Sequence, residues 1–204
     1  MANLPFDPPE PAMPALAARP LDGAAQDASR FDPVSMAFHW ATVLVMVWMF
    51  ASAWSIGLAG DAAGAARMLT LHRSMGVILW VLVLARLTWR LGFARRPPLP
   101  ADLPAVQRLA ASLNEGALYA LLLVQPLTGL TQSLARGKPF VLLGVEVPKL
   151  MARDKGLVGL VHEIHELTAW ALLGLIGLHL SAALFHGLVR RDGVLASMWP
   201  ARPR

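Results

Sequence analysis

Four of the six histidines fall in one stretch, VHEIHELTAWALLGLIGLHLSAALFHGL, residues 161–188, most of which is apolar enough to sit in lipid. An imidazole in such surroundings is costly unless it is bonded, and an ionisable side chain inside a membrane helix marks function by default. The chain has no cysteine, which excludes disulfides, iron–sulfur clusters and thiolate zinc sites; any metal must rest on His, Met or carboxylate ligands. Imidazole serves as a metal ligand, a proton carrier or a hydrogen-bonding group. The choice among these depends on where the other histidines lie.

His179 follows His165 by fourteen residues. On an α-helix that is about 21 Å along the axis and nearly the same face, so one helix presents a histidine towards each membrane surface. His39 stands near the start of an earlier apolar run and His72 near the start of the next. Where successive runs cross in opposite directions, His39 shares a depth with His179, and His72 with His165. Two histidines on different helices at one depth supply both axial ligands of a six-coordinate b-type haem. The expected cofactors are two haem b groups, one held by His72 and His165 and the other by His39 and His179. Their irons would lie roughly 20 Å apart by the same helical rise, which makes an electron path across the membrane.

The same residues admit other readings. A lone intramembrane histidine serves equally well as a helix–helix hydrogen bond or on a proton path, but four that pair by depth favour ligation. His162 and His165 with Glu163 and Glu166, in HEIHE, look like a zinc or non-haem iron site but lack the HExxH spacing of the zinc hydrolases. That site would also leave His39 and His179 without a role, and His162 is expected at the outer headgroups or at a haem edge. His186 comes seven residues after His179, on the same face and roughly 10 Å nearer the surface. It is a candidate hydrogen-bond donor to a quinone carbonyl, or an interfacial histidine that snorkels.

The elements that must position these residues are membrane helices. The chain is 56% hydrophobic and 15% charged, against roughly 25% charged in a soluble domain. Apolar runs at 36–58, 75–91, 116–134 and 167–189 approach or exceed the ~20 residues that cross a bilayer. The expected fold is all-α, an integral membrane four-helix transmembrane bundle over residues 31–200. A flexible tail over 1–30, rich in Pro, Ala and Asp, precedes it and lacks the features of a signal peptide. Asp32 with Pro33 or Ser35 starts the first helix, AGDAAGAARMLT is expected to turn, RLGFARRPPLPADLP stops the second helix, and a long link covers 135–161. Ten Lys and Arg residues, Arg19, Arg202, Arg204 and the borderline Arg90 among them, fall on the side of the tail, the second link and the C-terminus, against seven on the other side. That bias places both termini in the cytoplasm. The net charge of +5 is spread between apolar runs with no basic stripe, so membrane lipid is the expected partner and nucleic acid is not. Arg86, at membrane depth, is expected to snorkel or to neutralise a haem propionate. Gly76, Gly174 and Gly177 are expected to admit a macrocycle or a neighbouring helix.

The motifs FHW, LHRSMG, ARLTWRL, LYALLLVQPLTGL, ARGKPFVLLG and HELTAWALLGLIGLHLSAALFHG together resemble the bacterial cytochromes b561, over about residues 31–200. The resemblance implies a bacterial inner-membrane protein in which His39, His72, His165 and His179 are the haem ligands. In layout it is similar to the superoxide oxidase type, which takes an electron from superoxide at the outer surface and delivers it to ubiquinone near the cytoplasmic one; His186 matches the family position near that quinone. One departure is Glu115, four residues before Tyr119, where members often carry a histidine. If superoxide is the donor, Arg73, Arg136, Lys138 and Lys149 form a basic funnel for the anion; with another periplasmic donor they are solvated loop residues. The implied activity is that of a superoxide:quinone oxidoreductase. The alternatives are a quinone-linked cytochrome b subunit serving a partner dehydrogenase or hydrogenase, and a haem-free transporter or sensor. The scarcity of polar groups in the first and third spans speaks against the last.

Overall fold

The computed structural model describes residues 30–199. The tail expected at 1–30 therefore falls almost wholly outside the described residues, as do the arginines counted at 19, 202 and 204. Among the described residues four helices are long and apolar enough to cross a membrane. They are α1 Pro33–Leu58, α2 Ala62–Gly92, α3 Ala105–Ala135 and α4 Lys155–Leu184, and α4 continues into a π-helical turn, Phe185–Arg190. The fold is the four-helix transmembrane bundle that the sequence predicts.

Three helices begin with carboxylate caps. Asp32 accepts from the Ser35 amide at 2.9 Å and the Ser35 hydroxyl at 2.7 Å, with Pro33 as the first helical residue. Asp61 accepts from the Gly64 amide at 2.6 Å, and Asp154 from the Leu157 amide at 3.0 Å. Helices α2, α3 and α4 start well before their apolar runs, and most of AGDAAGAARMLT is the first part of α2 rather than a turn. Hydropathy marks only the part of a helix that lies in hydrocarbon. Outside it, Ala, Gln, Glu and Arg carry the helix on into the interface.

The link between α3 and α4 contains an element that the sequence did not announce. Strands β1 Phe140–Leu142 and β2 Val145–Val147 pair antiparallel, with Phe140 opposite Val147. Leu143 and Gly144 turn between them at φ 51° and 82°, the positive-φ pair of a two-residue hairpin. Leu is rare at such an angle, which hides the hairpin from a sequence reading. The Leu143 amide donates to the Ser74 hydroxyl at 2.9 Å, which lays the hairpin on α2. Gly137, at φ 62°, admits no side chain, since a Cβ there would lie 2.5 Å from the Arg153 amide nitrogen.

At the opposite end the described chain begins and finishes. The Phe31 amide donates to the Ser197 carbonyl at 3.2 Å, and Trp40 Nε1 to the Met198 carbonyl at 2.9 Å. Asp32 also accepts from Trp89 Nε1 at 3.1 Å and the Arg95 amide at 3.3 Å, which ties the start of α1 to the end of α2. Between this terminal end and the hairpin end, Met46, Leu79, Val83, Leu122 and Leu172 form a buried cluster drawn from all four helices. Leu44, Val47, Leu178 and Leu180 remain exposed on the outer surface, where lipid tails would cover them.

Candidate functional site

The four histidines matched by depth form two facing pairs. At the hairpin end, His72 of α2 and His165 of α4 have ring centroids 6.5 Å apart and planes inclined at 74°. At the terminal end, His39 of α1 and His179 of α4 are 6.2 Å apart and inclined at 55°. Two imidazoles bound on opposite sides of one metal, each by a bond of ~2 Å and with about 1 Å from nitrogen to ring centre, have centroids about 6 Å apart. Both pairs match that spacing.

At the hairpin end each histidine Nδ1 lies beside a hydroxyl that also bonds a backbone carbonyl. The Ser52 hydroxyl donates to the Met49 carbonyl at 2.9 Å and lies 2.8 Å from His72 Nδ1. Its one proton is committed, so it accepts from Nδ1–H and leaves the lone pair on Nε2. Thr128 repeats the arrangement on α3: its hydroxyl donates to the Gln125 carbonyl at 2.7 Å and lies 2.8 Å from His165 Nδ1. Gln125 Nε2 donates to the His165 carbonyl at 2.9 Å, and the Thr168 hydroxyl bonds the Gln125 side-chain oxygen. A Cβ on Gly129 would approach His165 Cε1 to 3.2 Å. The segment QPLTG thus presents three residues, Gln125, Thr128 and Gly129, to one histidine.

The terminal end is built from charge. Arg86 Nη2 lies 3.2 Å from His39 Nδ1; a guanidinium only donates, so it offers no acceptor of the kind that Ser52 and Thr128 offer at the other end. The Arg86 and Arg90 guanidinium carbons stand 5.4 and 5.6 Å from the Tyr119 ring centroid, and Arg90 pairs with Glu115. Arg86 therefore does not merely snorkel: it is held half-buried between His39 and Tyr119. Glu115 is the counter-ion of this cluster. Gly76 is buried, with the Met49 methyl 3.6 Å from a built Cβ, whereas a Cβ on Gly174 or Gly177 meets no protein atom within 4 Å.

His186 pairs with no other histidine. Its Nδ1 lies 2.5 Å from Asp192 Oδ2, and Asp192 also meets Arg190 Nε at 3.2 Å. Arg190 bonds Asp102 at 2.5 Å, which ties the end of α4 to the link before α3. Burial pushes the Asp192 carboxyl up, but the bonds from His186 and the Val194 amide, with the nearby His186 and Arg190 charges, hold it below the usual carboxylate range. With Nδ1–H given to a carboxylate, Nε2 is the atom of His186 left to exchange a proton.

Of the four cations expected to form a funnel, Arg136, Lys138 and Lys149 are exposed at the hairpin end, while Arg73 is half-buried with its guanidinium 5.2 Å from the Phe140 ring centroid. Among the described residues none of the four pairs with a carboxylate. His162 is exposed, 4.0 Å from Glu166. Among the described residues no three His, Asp or Glu side chains gather as a metal site.

A sequence profile of the prokaryotic cytochromes b561 matches residues 30–201, a range that takes in both histidine pairs. The chain belongs to the prokaryotic cytochrome b561 family. It is similar to cytochrome b561 homolog 1 of Escherichia coli (strain K12), 30% identical over 85% of this chain and 99% of that protein. It is 31% identical to homolog 2 of the same organism, over 83% of this chain and 90% of that one. A third relative, "Probable superoxide oxidase CybB" of Yersinia pestis, is 27% identical over 85% and 97%. Membership in the cytochrome b561 family brings membrane electron transfer with haem b, in a multi-pass protein of the bacterial inner membrane.

Three residues that bond His72, His165 and His186 gave no sign in the sequence of those contacts. Ser52 and Thr128 read as small polar residues on apolar helices, which ordinarily bond their own backbone. Asp192 lies six residues beyond His186, a spacing that does not share a face of an α-helix. The π-helical turn and the left-handed Arg191, at φ 53°, bring the two together.

Proposed function

We propose that this cytochrome b561 family member oxidises superoxide at the hairpin end and reduces ubiquinone at the terminal end. The hairpin end is then periplasmic and both termini are cytoplasmic. His72 and His165 would hold one haem b, and His39 and His179 the other. The observation that carries the reading is the presence of two facing imidazole pairs, one at each end of a single bundle, each at the spacing of two axial ligands. When bound, haem supplies the one-electron carriers.

The chain's own residues do the rest. Exposed Arg136, Lys138 and Lys149 raise the local concentration of an anionic donor. Ser52 and Thr128 hold Nδ1–H of their histidines and so direct Nε2 towards a metal. At the other end, Asp192 orients His186 so that Nε2 takes a proton from the cytoplasm and hands it to a reduced quinone oxygen. Two superoxide anions each lose one electron and leave as dioxygen, and one quinone gains two electrons and two protons. The relative from Yersinia pestis, named a probable superoxide oxidase, supports the donor.

The test uses the purified protein in liposomes containing ubiquinone, with an enzymatic source of superoxide. Reduction of the b haems and formation of quinol, both abolished by superoxide dismutase, are expected. No reduction by superoxide, with quinol formed only after a soluble dehydrogenase or hydrogenase is added, would overturn the reading in favour of an electron-transfer subunit.

A further inference from the structure

We propose that Ser52 and Thr128 are positioning residues that make the hairpin-end haem the lower-potential centre, and that Arg86 makes the terminal-end haem the higher. The inference rests on the ligand assignment proposed above and adds to it the residues that order the two potentials.

At the hairpin end each imidazole is the start of a short relay. His72 Nδ1–H points to the Ser52 hydroxyl at 2.8 Å, which points to the Met49 carbonyl at 2.9 Å. His165 Nδ1–H points to the Thr128 hydroxyl at 2.8 Å, which points to the Gln125 carbonyl at 2.7 Å. An acceptor on the far nitrogen makes an imidazole a more basic ligand. A more basic ligand favours the more positive, oxidised metal, and hydrogen bonding around the ligands is one of the levers by which a protein sets haem potential. Ser52 is buried, so water does not substitute for its hydroxyl. The two relays come from different helices and act on both ligands of one pair.

The terminal end has the opposite arrangement. His39 Nδ1 faces a donor, Arg86, at 3.2 Å, in place of an acceptor. Ligation through Nε2 puts the proton on Nδ1, where a guanidinium cannot accept it, so the relay seen at the other end is not available to His39. Arg86 and Arg90 both stand over Tyr119, and Glu115 is bonded to Arg90. Two cations thus share one carboxylate beside this pair, and a net positive charge in a low-dielectric setting favours the less positive, reduced metal. At the hairpin end Arg73, next in sequence to His72, is also a half-buried cation with no carboxylate partner among the described residues, its guanidinium 5.2 Å from the Phe140 ring centroid; the lower potential there is the work of the two relays, against that charge. Electrons settle on the centre of higher potential, so they run from the hairpin end to the terminal end.

Potentiometric titration of the purified holoprotein, followed by its optical spectra, tests this in Thr128→Val, Ser52→Ala, Thr128→Ser and Arg86→Gln. The wild type is expected to titrate as two one-electron components. Thr128→Val and Ser52→Ala should raise the reduction equilibrium constant of the lower component about tenfold, which is ~59 mV, and leave the upper one in place. Thr128→Ser, which keeps the hydroxyl, should behave as wild type, and Arg86→Gln should move only the upper component, downwards. Unchanged midpoints in both Thr128→Val and Ser52→Ala, or a shift of the upper component instead, would overturn the assignment; so would an Arg86→Gln shift in the lower component. Haem content is measured alongside. Loss of one haem in Thr128→Val but not in Thr128→Ser supports the role of the hydroxyl, and loss in both overturns it. A wild-type protein with fewer than two b haems would defeat the ligand reading itself, an outcome visible before any variant is titrated.

Discussion

At the hairpin end both histidines give Nδ1–H to a hydroxyl on the neighbouring helix, and those hydroxyls pass the interaction to backbone carbonyls. At the terminal end His39 meets an arginine, and Arg86, Arg90, Tyr119 and Glu115 form a cluster of charge around one aromatic ring. The same residue type, paired at nearly the same spacing, therefore meets neutral hydroxyls at one end and, at His39, a guanidinium at the other. The contrast shows that histidine spacing alone does not determine what a site does. Groups one bond further out decide how strongly each imidazole donates and which charge the site favours.

The comparison breaks most sharply if the two pairs are not independent. His165→Ala is expected to leave one b haem per chain by pyridine haemochrome assay, with the hairpin-end component gone from the redox titration. His179→Ala should remove the other component. If either variant loses both haems, the ends form one cooperative unit. Next in size is the proton step, which belongs to the terminal end alone. His186→Ala should slow quinol formation about 10²-fold while leaving the reduction of haem by superoxide unchanged, and Asp192→Asn should show a smaller loss of the same kind.

Charge at the hairpin end gives a subtler contrast. Reversing two exposed cations in Lys138→Glu with Lys149→Glu should slow superoxide-driven haem reduction several-fold, with the difference shrinking as ionic strength rises. Haem reduction by a neutral donor should be unaffected, and equal slowing with both donors would remove the funnel from the account.

The smallest effect concerns how the terminal end is held together. Asp32→Ala removes the cap of α1 and its bonds to Trp89 and Arg95, at a cost of about 1 kcal/mol. Burial pushes the Asp32 carboxyl up, but the bonds from Ser35, Trp89 and Arg95 outweigh it and hold the group below its ordinary value. Because the folded value is the lower one, the stabilisation is complete above the ordinary carboxylate range and is lost as pH falls through the folded value. The gap in melting temperature between wild type and Asp32→Ala should therefore stay constant from neutral pH down to about pH 4 and close below it.

The sequence by itself determined what depends on one helix at a time. Apolar runs marked four spans, and the prolines after Arg96 forecast the end of α2. The fourteen residues between His165 and His179 set two depths on one face of α4, because helical rise and twist are fixed by the backbone. Asp32 and Pro33 mark the start of α1, whereas hydropathy puts the starts of α2, α3 and α4 too late, since it ends where the hydrocarbon does. What only the tertiary structure decided lies between elements. QPLTG was visible as a motif, but the closeness of Thr128 to His165 Nδ1 depends on how α3 meets α4. Ser52 gave no signal, because a hydroxyl on an apolar helix bonds its own backbone whether or not a histidine stands opposite. The His186–Asp192 contact needs a π-helical turn and a left-handed residue. Sequence spacing fixes direction along and around a single helix, whereas a hydrogen bond between two helices depends on their mutual rotation and distance, which the packing of the whole bundle sets.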